Sequence, residues 1–173
     1  MSAQYPHARW IPAAPGNYRV PTPPRTMQDI TMILIHITDG GATRAEQTAR
    51  WFANSNQRNL RGDPIHVSAH YVVGRSGEVV QCVHHEHIAH HAGEANPRSI
   101  GIEHVVPRSE SGLTPEQYRA SADLVTWLGR TLHIPFRSEN IMGHADADRR
   151  TTHRTCPDRA FDWTELWMLL PPS

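Results

Sequence analysis

The sequence predicts a single α/β domain whose β-sheet is not purely parallel. Residues 30–38 are a strongly apolar run of strand length, typical of a strand buried on both faces. Residues 67–73 and 78–83 are two β-rich runs, and the glycine-containing turn between them favours an antiparallel hairpin. Apolar residues at helical spacing over 114–132 predict a long helix. With 173 residues, the chain is long enough for one such domain.

The first 29 residues are rich in proline, alanine and arginine, and we expect an extended arm that packs on a domain of residues 30–173. Prolines at positions 12, 15, 21, 23 and 24 interrupt any regular element there. Within the strand predicted over residues 30–38, the alternation of side chains places His36 on the same face as Leu34 and Thr38.

Helices and strands alternate through the middle of the chain. A helix is predicted over residues 43–55, where Thr43 and Glu46 have the spacing of a capping box. A further strand is predicted over residues 99–106, and Gly101 within it indicates close approach of a backbone or a ligand.

The most clearly marked helix begins at Thr114, with Thr at the N-cap, Pro115 at the first position and Gln117 at the third. A short strand ends at Gly143, a polar loop covers residues 144–159, and a short helix covers residues 163–170. Four tryptophans fit core and helix packing: Trp51, Trp127, Trp163 and Trp167.

Composition narrows the class of partner. The chain has 17 basic residues, all arginine, and 17 acidic residues, so its net charge of zero argues against nucleic acid or an anionic membrane as partner. The sequence has no stretch of about 18 apolar residues and no apolar core of a signal peptide. We therefore expect no membrane span and no signal peptide. The 13 histidines make the net charge sensitive to mildly acidic pH.

Two imidazoles and a thiol are the candidate metal ligands: His36, His144 and Cys156. Zn²⁺ binds imidazole nitrogen and thiolate sulfur readily, and three protein ligands leave a fourth position open for water. His153 and Asp158 are competing third ligands. A disulfide between Cys82 and Cys156 is also open, although a chain of this length needs no such staple.

Six motifs occur in an order that resembles a known family. They are Ile35-His36-Ile37-Thr38; Ser68-Ala69-His70-Tyr71-Val72-Val73 with Arg75-Ser76-Gly77; His91-Ala92-Gly93 with Asn96; Ser99-Ile100-Gly101-Ile102-Glu103; Gly143-His144; and Cys156-Pro157 with Phe161-Asp162-Trp163. Over about residues 10–167 the chain resembles the type 2 family of zinc-dependent N-acetylmuramoyl-L-alanine amidases, which includes phage lysozyme-like amidases and peptidoglycan recognition proteins. The early Trp10-Ile11-Pro12-Ala13 with Asn17-Tyr18 is similar to the start of actinobacterial and phage members.

The resemblance implies a mixed β-sheet flanked by helices, with one zinc ion in a groove on one sheet face. It implies cleavage of the amide between N-acetylmuramic acid and the L-alanine of the stem peptide. The implied zinc ligands are His36, His144 and Cys156. Glu103 matches the general base, and Arg154 takes the place of a lysine that stabilises the oxyanion.

Substrate contacts are expected from His91 and Asn96. Three residues depart from the family pattern: Ala69, His90 and Asp158. Ala69 stands where some phage relatives carry a tyrosine near the metal, so no tyrosine role is assigned there. His90 and Asp158 affect groove detail more than the reaction. The histidine cluster over residues 84–91 lacks the His-Glu-x-x-His spacing, since Ala89 stands where the second histidine would be, and surface or groove-lining roles are expected for it.

The sequence therefore predicts a peptidoglycan hydrolase that acts as a monomer, as the endolysin of an actinobacterial phage or its catalytic domain. Such an enzyme would be made in the cytoplasm and act on the cell wall after release. The alternatives are a cytoplasmic amidase that recycles muropeptides, a peptidoglycan-binding module without catalysis, and a structural zinc domain.

Overall fold

A computed structural model describes residues 2–172 of the chain as a mixed α/β fold. The strands are β1 (Ala8–Trp10), β2 (Tyr18–Arg19), β3 (Met32–Ile37), β4 (Tyr71–Val73), β5 (Val79–Gln81), β6 (Ile88–Ala89), β7 (Ser99–His104) and β8 (Ile141–Gly143). The α-helices are α1 (Ala45–Phe52), α2 (Pro115–Leu132), α3 (His144–Ala147) and α4 (Trp163–Leu169). Two short 3-10 helices cover Met27–Asp29 and Gly93–Arg98.

Six strands form one sheet in the order β1-β5-β4-β7-β3-β8, and β2 pairs with β6 in a separate two-stranded sheet. Within the large sheet, only the β4–β5 hairpin pairs antiparallel, and the other neighbours run parallel. The predicted mixed sheet is confirmed.

The two faces of the sheet carry different layers. Ile33, Ile35, Ile100 and Ile102 pack on one face in the main core with residues of α2 and α4. On the opposite face, Val72 and Val80 pack against Ala45, Ala49 and Phe52 of α1. Leu34 also lies on this second face, and it pairs with Gly101 in the β3–β7 ladder. Successive side chains alternate between faces, so His36 and its paired residue Glu103 lie on the α1 side.

Most predicted elements are present. All six residues of β3 are buried, as expected of a strand covered on both faces. The Thr114 hydroxyl accepts a hydrogen bond from the Gln117 amide at 3.1 Å, which confirms the predicted cap of α2. Of the four tryptophans predicted to pack in the core, Trp51 is 40% exposed, and that prediction is wrong for Trp51.

The segment of residues 2–29 contains strands that the proline spacing did not predict. Residues 8–10 form β1, which pairs in parallel with β5 at the edge of the sheet. Residues 18–19 form β2, paired with β6. The prolines at positions 12 and 15 lie between these two strands and therefore interrupt neither. The three residues of β1 pair before the prolines, and the two residues of β2 pair after them.

The start of α1 differs from the predicted capping box. Arg44, not Thr43, occupies the N-cap, and the Gln47 side chain accepts hydrogen bonds from both residues' amides at 2.9 Å. Glu46 points elsewhere and forms an ion pair with Arg50 at 2.6 Å.

No helix within residues 2–172 is long and apolar enough to cross a membrane.

Candidate metal centre

His36 is held rigidly within the sheet. It is the fifth residue of β3, only 2% exposed, and its Cα pairs with Glu103 across the β3–β7 ladder. Hydrogen bonds on both sides of β3, to β7 and to β8, fix the direction in which the imidazole leaves the strand.

The other two candidate ligands come from consecutive parts of the chain that return to β3. His144 follows β8 directly and opens the single turn α3. Cys156 is tied to that turn, because the Ala145 amide donates to the Cys156 carbonyl at 3.0 Å. A Cβ at Gly143 would lie 2.5 Å from Pro157 Cδ, so glycine is needed for the two segments to approach this closely.

The predicted ligands are brought together. One donor atom each from His36, His144 and Cys156 lies within 4.8 Å of the other two. In a tetrahedral zinc site with bonds of about 2.0–2.3 Å, ligand atoms lie about 3.3–3.8 Å apart. A small inward movement of side chains would therefore suffice, and two imidazoles with one thiol are a donor set suited to zinc. These residues could hold a metal ion.

His36 and Cys156 carry no positive charge that would repel a cation between them. Burial lowers the pKa of His36 well below its usual value, with further lowering by His91 and His144, so its imidazole is neutral. Burial first, then the negative charge of Glu103, raises the pKa of the Cys156 thiol to about 12. The thiol therefore stays protonated without a cation, and metal binding would release its proton.

Glu103 supplies an unpaired carboxyl beside these groups. Its Oε2 atom is buried and has no hydrogen-bond partner within residues 2–172. Burial raises the pKa of Glu103 to about 8. A buried oxygen without a partner is costly to stability, and native proteins retain such groups mainly where chemistry requires them.

The remaining predicted residues around the third ligand are less enclosed. Arg154 is exposed and makes no hydrogen bond or ion pair with the residues that the structure describes. Asp158 accepts a hydrogen bond from Trp163 Nε1 at 3.1 Å, and the exposed His153 stacks on His144 with ring centroids 5.8 Å apart. Cys156, not these two, groups with the histidines, and both cysteines are free thiols.

Both ring nitrogens of His91 and the side-chain oxygen of Asn96 have partners within the protein. His91 Nδ1 lies 2.9 Å from His36 Nε2, and its Nε2 lies 3.3 Å from Ser99 Oγ. The Asn96 side-chain oxygen accepts hydrogen bonds from the His91 and Ala92 amides at 3.1 Å and 2.6 Å. Contact of either side chain with substrate stays a prediction.

The histidine cluster over residues 84–91 does not lie wholly on the surface. His85 is 4% exposed, and its Nε2 lies 2.6 Å from the Tyr71 hydroxyl. The guanidinium of Arg25 donates to the His85 and His87 carbonyls and holds this segment against the fold. The prediction of surface or groove positions is therefore wrong for His85.

Two residues near the candidate ligands escaped the sequence analysis. Asp148 Oδ2 lies 3.9 Å from His144 Nε2. Its spacing of four residues from His144 was the available signal, but the segment was predicted to be a loop and is instead the turn α3. Ser99 was predicted only as the start of a strand, and no local signal marks its contact with His91.

The fold and this site define a class: an α/β domain built on a mixed β-sheet, with two histidines and a cysteine that could together hold a metal ion. The sequence profile of the N-acetylmuramoyl-L-alanine amidase family matches residues 26–159. The chain belongs to this family, and it is accordingly an amidase, a hydrolase of peptidoglycan.

Named relatives agree with this assignment. The chain is 26% identical to N-acetylmuramoyl-L-alanine amidase A of Achromobacter lyticus over 94% of its own length and 93% of that protein. It is 32% identical to 1,6-anhydro-N-acetylmuramyl-L-alanine amidase AmpD of Citrobacter freundii, over 63% of this chain and 60% of that protein.

Solved structures share the fold. A crystal structure of a Se-Met AmpD derivative superposes with a TM-score of 0.73 at 24% identity, covering 99% of both chains. The structure of PlyL gives a TM-score of 0.69 at 19% identity, covering 96% of this chain and 98% of the other. Drosophila peptidoglycan recognition protein SD gives 0.65 at 17% identity, covering 96% and 98%.

Proposed function

We propose that this chain is a zinc-dependent N-acetylmuramoyl-L-alanine amidase that cleaves the amide between N-acetylmuramic acid and the L-alanine of the stem peptide. One observation carries the proposal: the donor atoms of His36, His144 and Cys156 lie within 4.8 Å of one another. Glu103, whose Oε2 has no hydrogen-bond partner within residues 2–172, is paired with His36 across the β3–β7 ladder. A structural zinc domain would need a fourth protein ligand, and within residues 2–172 this group has three.

Glu103 and Arg154 carry the proton and charge steps in this proposal. Zn²⁺ held by His36, His144 and Cys156 would supply a Lewis acid for the scissile carbonyl and would lower the pKa of the attacking water to about 7. The Glu103 carboxylate takes a proton from the attacking water and returns it to the leaving amine of L-alanine. A positive ion beside Glu103 favours its ionised form, which a base requires.

Arg154 stabilises the negative charge that develops on the carbonyl oxygen. It stands two residues before Cys156, in the loop that carries the third ligand, and its side chain is exposed and unpaired in the described residues. A guanidinium cannot give up its proton, so its contribution is electrostatic. Asn96, in the 3-10 helix Gly93–Arg98, is the proposed substrate contact.

The substrate we propose is wall peptidoglycan, as for an endolysin of an actinobacterial phage. The relative that matches nearly the whole chain is named an N-acetylmuramoyl-L-alanine amidase without the 1,6-anhydro qualifier. A second candidate, a muropeptide-recycling amidase, is favoured by the AmpD relatives, whose names specify the 1,6-anhydro sugar. A ratio of kcat/KM on intact sacculi to that on soluble 1,6-anhydro-muropeptide separates the two. We expect a high ratio for an endolysin and a low ratio for a recycling amidase.

The metal site is tested by zinc content after loading and desalting. We expect one zinc per chain in the wild type and loss of zinc and activity together in His36→Ala. The exposed His7 gives a matched control, and His7→Ala should retain both. Full zinc occupancy in His36→Ala would remove His36 from the ligand set.

A further inference from the structure

Ser99, His91 and His36 form a hydrogen-bonded chain that runs from the start of β7 to the candidate metal site. Ser99 Oγ lies 3.3 Å from His91 Nε2, and His91 Nδ1 lies 2.9 Å from His36 Nε2. The rings of the two histidines meet edge to face, with centroids 5.0 Å apart. Both nitrogens of His91 and the Nε2 of His36 therefore have a neighbour within hydrogen-bond distance.

The donors and acceptors in this chain can be assigned from its far end. The Ser99 hydroxyl donates to the Ala95 carbonyl at 2.8 Å, so its oxygen accepts from His91 Nε2–H. A neutral imidazole carries one N–H, so His91 Nδ1 has a lone pair and accepts from His36 Nε2–H. The lone pair of His36 is then on Nδ1, which leaves this nitrogen available to bind a metal ion.

The position of His91 is itself fixed from two sides. The Asn96 side-chain oxygen accepts hydrogen bonds from the His91 and Ala92 amides and holds the loop. On the other side the imidazole lies directly over Gly101 of β7, where a Cβ would come within 2.6–2.8 Å of three ring atoms. Only glycine leaves room for the ring there, which accounts for the glycine that marked close approach in this strand.

We propose that His91 is a positioning residue that acts through His36: it accepts the Nε2 proton of His36 and so directs the Nδ1 lone pair to the metal. The inference rests on the proposed zinc site and gives His91 a role other than substrate contact. Partners that orient a ligating histidine typically change metal affinity by about 10–100-fold.

Two variants test this role through zinc affinity, measured by competition with a chromophoric chelator. His91→Leu removes the acceptor, and we expect the zinc dissociation constant to rise about 10–100-fold. His91→Asn places an amide oxygen near the former Nδ1 position, so it should recover most of the affinity. A purely packing role predicts the opposite order, because leucine fills the space over Gly101 better than asparagine does.

Equal zinc affinities in the wild type and both variants, with a raised KM for muropeptide, would overturn the inference and return His91 to substrate contact. A wild type that binds no zinc would overturn the proposed function as well, so the two failures are distinguishable.

Long-range ¹H–¹⁵N NMR of the metal-free wild type gives a test that needs no variant. We expect His36 to carry its proton on Nε2, and a proton on Nδ1 would contradict the assignment.

Discussion

At the scale of one residue, the environment of Glu103 supports the proposed catalytic role of the site. Its buried Oε2 has no partner within the described chain, and burial raises its pKa to about 8. A non-catalytic binding module would gain stability by replacing this carboxyl with an apolar or paired group. The chain instead keeps the Glu103 carboxyl, paired with His36 in the β3–β7 ladder, and the proposed general base requires a carboxyl there.

Replacement of Glu103 by glutamine should separate metal binding from catalysis. We expect Glu103→Gln to keep one zinc per chain, since Glu103 is not among the grouped ligands, while kcat falls about 10²–10⁴-fold. The measurement is zinc content together with initial rates on muropeptides. Wild-type turnover in a zinc-loaded Glu103→Gln protein would place the base elsewhere.

Arg154 should matter less than Glu103, because its exposed charge is screened by solvent. We expect Arg154→Ala to lower kcat roughly 10-fold, below the 10²–10³-fold typical of an enclosed oxyanion donor, and Arg154→Lys to recover much of it. Arg130, in the last turn of α2, gives an exposed control on another element. If Arg154→Ala and Arg130→Ala have the same kcat as the wild type, Arg154 is only a solvated surface residue.

At the scale of elements, periodicity and caps were enough to predict β3, the β4–β5 hairpin and α2, because each signal lies within a few adjacent residues. The strand β1 and the turn α3 were not predicted, because neither lies within a longer run of residues that shows a clear pattern. Three or four residues are too few to show a period, and their structure comes from pairing with β5 and from packing beside β8.

The three candidate ligands could be named from sequence, yet their proximity could not be derived from local patterns. His36 and Cys156 meet because β3 pairs with β8 and the following loop is tied back through Ala145 and Gly143. The family resemblance supplied that link. The contact between Ser99 and His91 depends on a β7 register that no motif encodes.

The cap of α2 provides a stability prediction remote from the site. The Thr114 hydroxyl accepts from the Gln117 amide at 3.1 Å and donates to the Arg75 carbonyl at 2.7 Å, which joins the helix to the hairpin turn. We expect Thr114→Ala to lower the free energy of unfolding by about 1–2 kcal/mol, with kcat unchanged. Urea denaturation checks this, and Thr114→Ser should restore stability. An Ala variant as stable as the wild type would show that the cap contributes nothing.

For the molecule as a whole, buried neutral histidines should make the metal-free protein sensitive to acid. Burial is the main cause that lowers the pKa of His85 to about 4, and it lowers the pKa of His70 well below its usual value. Arg25 lowers both further, while Glu86 acts against the shift at His85.

The sign follows from proton uptake. The unfolded chain binds protons at these histidines below about pH 6.5, whereas the folded protein resists uptake until about pH 4, so stability is present above pH 6.5 and is lost as the pH falls. We expect unfolding free energies in EDTA to decline between pH 6.5 and 4, by up to about 3 kcal/mol for His85 alone. His85→Gln, whose amide can still form a hydrogen bond with the Tyr71 hydroxyl, should show a shallower decline. An identical slope would contradict this assignment.

The central claim is that the chain hydrolyses the amide between the sugar and the stem peptide. Mass spectrometry of purified cell-wall muropeptides after incubation with zinc-loaded protein tests it most directly. The proposed function predicts released stem peptides with a free N-terminal L-alanine and intact glycan chains. Muropeptides that are bound by folded, zinc-loaded protein but remain whole would contradict it and favour a peptidoglycan-binding module.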